Sequence, residues 1–128
     1  MTQGENFAGL VSASAERNRY RAGDSIVKEG DHGDRMFILT AGRAQITIRN
    51  QLLETVEEGG VFGEMALVDA GPRGATVVAQ TECEAVPVDA RRFEFMVQQT
   101  PFFALQLMRV MCRRIRAMNR RGLISEET

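Results

Sequence analysis

Residues 59–77 read GGVFGEMALVDAGPRGATV, and this segment carries the strongest indication of function in the chain. Gly63 offers a flexible turn, and the four residues Glu64-Met65-Ala66-Leu67 that follow it are typical of a short helical segment. A turn of this kind presents successive unpaired backbone N–H groups, which together form a concavity that binds anions. The pattern therefore predicts an anion site at the start of the short helix.

An arginine follows this turn at a suggestive distance. Arg73 comes nine residues after Glu64 and leads directly into a β-prone segment. Arginine at the start of a strand can clamp a phosphate through two parallel hydrogen bonds. Glu64 would repel a phosphate that it faced directly, so it fits better as the acceptor for a sugar hydroxyl beside the phosphate. The two residues together predict a ribose phosphate as ligand.

A simpler interpretation of Arg73 stays open at this point. An arginine after a Gly-Pro turn is often a solvated surface residue. It can also be the partner of a nearby carboxylate, and the candidates here are Glu64 and Asp69.

The sequence on both sides of this stretch is typical of a β-sandwich or barrel. Short β-prone segments, each closed by glycine or Asp-Gly, predict strands at 25–28, 36–41, 43–49, 52–56, 75–79 and 83–88. Gly42 and the corner at 50–51 are predicted to be hairpin turns.

Helices are predicted at both ends of the chain. Residues 5–17 suggest a short amphipathic helix. Asp89 is a candidate N-cap for a helix through 99, Pro101 suits the start of a second helix to about 121, and Gly122 suits its end. The last helix carries six arginines and no acidic residue over 109–121, and apolar residues at heptad-like spacing: Ala104, Met108, Met111, Ile115 and Met118. We expect a homodimer through residues 104–118, with packing of the same stripe on the chain's own barrel as the alternative.

The motifs Phe-Gly-Glu-Met-Ala-Leu at 62–67 and Pro-Arg-x-Ala-Thr-Val at 72–77 resemble the phosphate-binding cassette of cyclic-nucleotide-binding domains. These domains occur in catabolite-activator/FNR-like regulators, regulatory subunits of cyclic-nucleotide-dependent kinases and cyclic-nucleotide-gated channels. The resemblance covers roughly 7–121. The segments at 21–24, 28–31, 33–34 and 36–39, followed by Gly42, are similar to the opening strands of the family.

The resemblance implies a mainly β fold with flanking helices, in the form of an eight-stranded jelly roll (a double-stranded β-helix) with an N-terminal helix and two C-terminal helices. The whole chain, 1–128, would be one domain with three parts. These are an N-terminal helical segment (1–18), a β-roll (19–88) that contains the cassette (61–76), and hinge and lid helices (89–121).

The resemblance also assigns roles to residues of the cassette. Gly63, Glu64, Met65 and Ala66 would form its short helix, with Glu64 on the ribose 2′-hydroxyl. Arg73 would pair with the equatorial oxygen of the cyclic phosphate, and the backbone of Gly74 and Ala75 would complete the cradle. Two further residues, Val61 and Phe62, would lie near the sugar and the floor of the cassette.

One departure from the family pattern concerns the base. Position 74 is Ala, Ser or Thr in most members, and a hydroxyl there helps to hold the guanine of cGMP in the syn form. Gly74 has no side chain, which favours cAMP over cGMP. From the last helix, Arg114 would stack on the purine and Met118 would close over it. The alternative for Arg114 is that it is one of six solvated arginines.

Composition excludes several other classes. The net charge is −1, from 16 basic and 17 acidic residues, so bulk attraction to nucleic acid or to an anionic membrane is not expected. His32 is the single histidine, which counts against a metal-dependent cupin enzyme, and we interpret it as a turn residue. Cys83 and Cys112 are expected to be two reduced, buried thiols. No apolar run is long enough to cross a bilayer, and we expect a cytoplasmic protein.

The sequence thus predicts a non-enzymatic, stand-alone sensor of cAMP or cGMP that needs no cofactor. Lid-helix movement would relay binding to a protein effector that the sequence does not identify. The alternatives are a degenerate domain that serves as a protein-interaction module, or a truncated transcription regulator or channel sensor domain. The regulators of this family carry a helix-turn-helix of about 60 residues after the long helix. The chain ends at Thr128, so no DNA-binding domain and no sequence-specific contact with nucleic acid are expected.

Overall fold

A computed structural model of the chain describes residues 6–123, which form strands and helices in the order that the sequence suggests. The strands are β1 (Asn18–Tyr20), β2 (Ser25–Val27), β3 (His32–Gly33), β4 (Arg35–Ala41), β5 (Ala44–Ile48), β6 (Gln51–Val56), β7 (Val61–Phe62), β8 (Gly71–Pro72), β9 (Thr76–Ala79) and β10 (Cys83–Asp89). The helices are α1 (Glu64–Val68), α2 (Ala90–Gln99) and α3 (Phe102–Arg120).

The strands pair in two four-stranded antiparallel sheets, as expected for a jelly roll. One sheet has the order β1-β10-β4-β7 and the other has the order β2-β9-β5-β6. Two further strands, β3 and β8, form a separate pair that joins His32 to Pro72 and Gly33 to Gly71. This small pair brings the segment before Arg73 against the loop at 30–34, and in this way it positions the predicted site.

Strand β4 is buried on both faces because it separates two hydrophobic clusters. Phe37 and Leu39 point into the cluster between the two sheets, while Met36 and Ile38 point to the cluster under the helices. The period of two in a strand places alternate side chains on opposite faces, so a strand that is covered on both sides has a continuous apolar sequence. This accounts for the unbroken apolar run at 36–39.

The C-terminal helices pack on the outer face of the first sheet. Asp89 caps α2, its side chain accepting a hydrogen bond from the backbone N–H of Arg92 at 2.9 Å. Helix α3 buries Phe103, Leu107 and Val110 against the sheet, and the Phe103 ring meets the ring of Phe7 edge-on at 5.6 Å. The helix prediction for 89–121 is thereby confirmed. Within residues 6–123, the structure contains no helix with the length and hydropathy that a membrane crossing requires.

The N-terminal segment differs from the prediction of a helix over 5–17. Residue 5 lies outside the described residues, and the rest contains one 3-10 turn, Ala8–Leu10, beside the buried ring of Phe7. The hydroxyl of Ser12 accepts from the backbone N–H of Ser14 at 3.2 Å. Local bonds of this kind compete with helix formation, which explains the early end.

The β5–β6 hairpin turns one residue earlier than predicted. Arg49 and Asn50 have positive φ angles of 50° and 67°, so they occupy the centre of the turn. Gln51 already belongs to β6 and pairs with Ile48. Two central residues with positive φ are typical of the hairpin turn whose twist matches that of the strands.

The apolar stripe predicted on α3 is divided in the structure. Met108 and Ile115 are exposed, whereas Met111 packs on the cluster under the helices and Met118 packs on the cluster between the sheets. The stripe that faces the domain lies instead at Phe103, Leu107, Val110 and Arg114. A second stripe with heptad spacing faces away from the domain: Leu105, Met108, Cys112, Ile115 and Asn119.

The two thiols also differ from the prediction. Cys83 is buried as expected, but Cys112 is exposed because it belongs to the outward stripe of α3.

Candidate functional site

The site is built around the turn at Gly63 that precedes α1. Gly63 has a φ of 78°, a conformation in which a Cβ is strained. A Cβ at this position would also lie 2.9 Å from Nη1 of Arg73 and 3.2 Å from the carbonyl oxygen of Arg35. Glycine is therefore required twice at position 63, by the backbone and by the close approach of Arg73.

The backbone of Arg73 is fixed by the loop at 30–33. Its N–H donates to the carbonyl oxygen of Asp31 at 2.7 Å, and its own carbonyl oxygen accepts from the N–H of Gly30 at 2.9 Å. Its side chain donates from Nη1 to the carbonyl oxygen of Gly63 at 3.2 Å, and its guanidinium lies 6.0 Å from the centre of the Phe37 ring. The charge is thus held at the turn before α1.

Burial lowers the pKa of Arg73, and the positive charge of Arg35 adds to this effect while the charges of Asp34 and Glu64 oppose it. Arginine nevertheless stays protonated in proteins, so the site holds a fixed and partly desolvated cation. Among the described residues, no ion pair links Arg73 to Glu64 or Asp69. The interpretation of Arg73 as the partner of one of these carboxylates is therefore wrong.

Glu64, at the start of α1, is buried and pairs with a residue of α3. Its Oε1 accepts from Nη1 of Arg114 at 2.7 Å. Arg114 also donates from Nε and Nη2 to the two carboxylate oxygens of Glu54, at 2.8 and 3.2 Å, and from Nη2 to the carbonyl oxygen of Val61 at 2.7 Å. One guanidinium thus ties the lid helix to β6, to β7 and to the cassette.

The electrostatics of Arg114 follow from this pairing. Burial by itself lowers its pKa, but the charge of Glu64 and the hydrogen bonds and charge of Glu54 raise the pKa overall above the ordinary value. Its side chain is 4% exposed and engaged along both edges of the guanidinium. The solvated state that the sequence offered as the alternative for Arg114 is therefore wrong. Stacking of its guanidinium on a purine stays a prediction.

Arg73, Glu64 and Arg114 line one cavity of about 280 Å³. The other residues at this polar end come from the turn, from α1 and from the segment around Arg73: Gly63, Met65, Ala66, Asp69, Pro72, Gly74 and Ala75. The remaining wall is apolar and comes from the second sheet and from α3: Val27, Ile46, Ile48, Leu53, Val77 and Met118. The cavity therefore combines two arginines and two carboxylates with an apolar surface. Charged groups of both signs beside an apolar wall suit the phosphate, the sugar and the base of a nucleotide.

Comparison with known proteins decides the family. The sequence model of the family described as "Cyclic nucleotide-binding domain" matches residues 17–100. The chain belongs to this family. A cGMP-dependent protein kinase of Plasmodium berghei is 39% identical over 79 residues, which are 60% of this chain and 9% of that protein. A CRP-like cAMP-activated global transcriptional regulator of Mycobacterium tuberculosis is 32% identical over 102 residues, 76% of this chain and 46% of that protein.

Solved structures agree with this cyclic nucleotide-binding domain in fold. A structure described as "cAMP bound PfPKA-R (141-441)" has a TM-score of 0.77 and 34% identity, with 86% of this chain and 38% of the other covered. The catabolite activator protein of Thermus thermophilus has a TM-score of 0.71 and 26% identity, with 82% and 52% covered. The chain spans less than half the length of the curated relatives that it matches. The resemblance to the family and its jelly-roll fold are thereby confirmed.

Two predicted site residues of the cyclic nucleotide-binding domain do not border the cavity. The side chain of Val61 is buried under the helices, and Phe62 stacks on Phe37 with ring centres 5.2 Å apart. Both residues form β7, which pairs with β4, so their side chains enter the two hydrophobic clusters. Their side chains thus lie outside the cavity, and the roles predicted for them near the sugar stay predictions. The backbone carbonyl oxygen of Val61 accepts a hydrogen bond from Arg114.

The structure also adds residues to the site that the sequence did not predict. Glu54 reaches Arg114 from β6, and Gly33 lies against the side chain of Arg73. The apolar wall of the cavity comes from strands that the sequence predicted. The sequence did not indicate which inward side chains of these strands line the cavity and which lie in the core. Only the alternation along β5, in which Ile46 and Ile48 share a face, carried a signal.

A larger cleft of about 580 Å³ lies between α3 and the β6–β7 segment. Its lining includes the acidic residues Glu57 and Glu58 from the segment after β6 and the basic residues Arg120 and Arg121 from the end of α3. Arg73 does not line this cleft. The smaller cavity is the better candidate for the ligand because it contains the cassette.

Proposed function

We propose that the chain binds a cyclic nucleotide, with cAMP preferred over cGMP, in the cavity between the cassette and α3. The observation that carries the proposal is that Arg73 and Glu64 line the polar end of one cavity whose other end is apolar. Arg73 supplies the positive charge for the cyclic phosphate. The carboxylate of Glu64 accepts a ribose hydroxyl.

The apolar end of the cavity suits the flat face of a purine. Val27, Ile46 and Leu53 offer contact area without directional hydrogen bonds, and Met118 adds a flexible side chain from α3. Gly74 places no hydroxyl beside the base, so a feature that favours cGMP is absent from this position. These contacts support the preference for cAMP.

Helix α3 supplies the output of the proposed sensor. Arg114 connects it to Glu64, the residue assigned to the ribose, and Met118 connects it to the base end. The segment at 99–101 between α2 and α3 supplies the hinge. A ligand shifts the position of α3 only as far as it binds one position more tightly than another. The role is regulatory rather than catalytic, and we propose that the chain works as a stand-alone sensor in the cytoplasm and passes the signal to a protein effector.

Calorimetric titration with cAMP and with cGMP tests the proposal. Wild-type protein is expected to bind cAMP saturably, and Arg73→Ala should weaken binding by about 10- to 150-fold because it removes a charge-assisted pair worth about 1.5–3 kcal/mol. Arg43→Ala is the matched control, because Arg43 is exposed and does not line the cavity. No binding of either nucleotide by folded protein would contradict the proposal and favour the degenerate interaction module.

The outward stripe of α3 supports a second copy of the chain as a partner. Leu105, Met108 and Ile115 are 41%, 54% and 44% exposed, and their spacing matches the a and d positions of a two-helix coiled coil. Arg109 and Arg116 then occupy the e positions. In a parallel pair, e positions face g positions, which are Ala104, Met111 and Met118 here. An antiparallel pair would bring the arginines together, so we propose a parallel dimer.

Sedimentation tests this dimer. Ile115→Glu is expected to give a monomer where wild type gives a dimer. Arg120→Glu is the control for a charge change on the same helix, because Arg120 is exposed and lies at a b position, outside the seam. An unchanged mass for Ile115→Glu, or a monomeric wild type, contradicts the dimer. Met111→Glu is a poorer choice because Met111 packs on the domain core.

A further inference from the structure

We propose that Glu54 is a positioning residue that keeps one carboxylate oxygen of Glu64 available for the ribose. This inference rests on the proposed function, because it concerns the same site. Glu54 and Arg114 are 60 residues apart in the chain, and Glu54 does not line the ligand cavity. It acts on the ligand only through Arg114 and Glu64.

The hydrogen bonds of Arg114 are divided unequally between the two carboxylates. The edge formed by Nε and Nη2 holds both oxygens of Glu54. Glu64 receives a single hydrogen bond, from Nη1 to Oε1. Among the described residues, none donates to Oε2 of Glu64. That oxygen therefore remains the acceptor for a sugar hydroxyl.

The guanidinium would bind Glu64 differently without a carboxylate at position 54. Arginine prefers to bind a carboxylate with two parallel hydrogen bonds. Nε and Nη2 of Arg114 would then each lose the hydrogen bond to Glu54 while they stay buried, which is unfavourable. Rotation of the guanidinium onto Glu64 would satisfy these groups, and it would engage both oxygens of Glu64. The ribose hydroxyl would lose its acceptor.

The charges around Arg114 also favour incomplete pairing of Glu64. Two carboxylates share one guanidinium at the centre of this cluster, and Arg113 approaches Glu54 from the solvent side at 3.9 Å. The side chain of Glu54 is 27% exposed and that of Glu64 is 5% exposed. Glu54 thus competes for Arg114 from the wetter side of the cluster, and it leaves the buried Glu64 with incomplete pairing.

The test compares cAMP with 2′-deoxy-cAMP, which lacks the hydroxyl that Glu64 accepts. The ratio of the two dissociation constants should be about 10 or more for wild type. In Glu54→Gln, cAMP binding should weaken until the ratio falls below about 3, while 2′-deoxy-cAMP binding changes little. Glu57→Gln is the control, because Glu57 is exposed and directly follows β6, the strand that carries Glu54. Its ratio should equal that of wild type.

A second variant tests whether Glu54 acts through the paired hydrogen bonds of the Arg114 guanidinium. Lysine cannot form two parallel hydrogen bonds with one carboxylate, so Glu54→Gln combined with Arg114→Lys should regain most of the ratio. This pair of changes also keeps one positive charge for the one remaining carboxylate, which favours folding. A ratio that stays low in the double variant overturns the proposal.

Two results with Glu54→Gln also overturn the proposal. One is an unchanged ratio, and the other is an equal loss for both nucleotides, which would mean that Glu54 only stabilises the fold. Failure of the proposed function is distinct from both, since wild type would then not bind cAMP.

Discussion

Replacement of Gly33 by alanine is expected to abolish most of the ligand affinity while leaving the fold intact. A Cβ built on Gly33 would overlap the Nε and Cζ atoms of Arg73 and lie 2.7 Å from its Cδ. Ordinary carbon contacts begin at 3.4 Å, so Cδ must move by at least 0.7 Å (3.4 minus 2.7) and the guanidinium by more. The side chain of Arg73 thus packs directly against the backbone of Gly33 and Gly63.

The stability of Gly33→Ala should change little, for two reasons. Gly33 does not have a positive φ, so alanine fits its backbone without strain. The atoms that the Cβ would meet belong to the end of a flexible side chain, which can move aside. Replacement of glycine at a compatible position even stabilises a protein by about 0.4–1 kcal/mol through the unfolded state.

The affinity should fall because the displaced guanidinium no longer meets the phosphate. The upper limit is the loss expected for Arg73→Ala, about 1.5–3 kcal/mol or 10- to 150-fold. Calorimetric titration with cAMP measures this loss. Gly71→Ala is the control: Gly71 pairs with Gly33 across the β3–β8 pair, and a Cβ there would meet no atom within 4 Å.

Combining Gly33→Ala with Arg73→Ala shows whether the alanine Cβ acts only by displacing the Arg73 side chain or distorts the rest of the site as well. If Gly33 acts only through Arg73, the double variant should bind cAMP as weakly as Arg73→Ala and no more weakly. Wild-type affinity for cAMP in Gly33→Ala would show that the position of the Arg73 side chain does not depend on Gly33. A further loss in the double variant would show that the Cβ disturbs the site by another route.

Three further predictions concern stability and reactivity. Arg114→Met should lower the free energy of unfolding by about 3–5 kcal/mol, because it leaves buried carboxylate unpaired, and urea titration should show no comparable loss for the exposed Arg116→Met. One thiol per chain, Cys112, should react with a thiol reagent in dilute native protein and two in denaturant, because Cys83 is buried and its burial raises the pKa of the thiol; two fast thiols in native protein would contradict this. Asp89→Ala should cost about 0.5–2 kcal/mol through loss of the α2 cap, and an unchanged urea midpoint would count against the cap.

Features that depend on neighbouring residues could be predicted from the amino-acid sequence alone. The turn at Gly63, the cap at Asp89 and the end of α3 at Gly122 follow from local conformational preferences. The short β-prone segments bounded by glycine predicted the β-roll in the same way. The roles of Glu64 and Arg73 could also be predicted from the sequence, because the two residues are nine positions apart and belong to one recognisable motif.

Contacts between residues that are distant in the chain could not be predicted in this way. The pairing of Arg114 with Glu54 and Glu64 spans 60 and 50 residues. Helical spacing places Arg114 on the face of Leu107 and Val110, but it does not indicate which carboxylates the arginine meets. The packing of Arg73 against Gly33 depends on the β3–β8 pair, whose two-residue strands are too short to carry a period. The inward orientation of Phe62 depends on its pairing with β4, and the outward stripe of α3 depends on which face of the helix the sheet covers. Long-range pairing of charges and surfaces is fixed by packing of the whole domain, so local sequence preferences do not encode it.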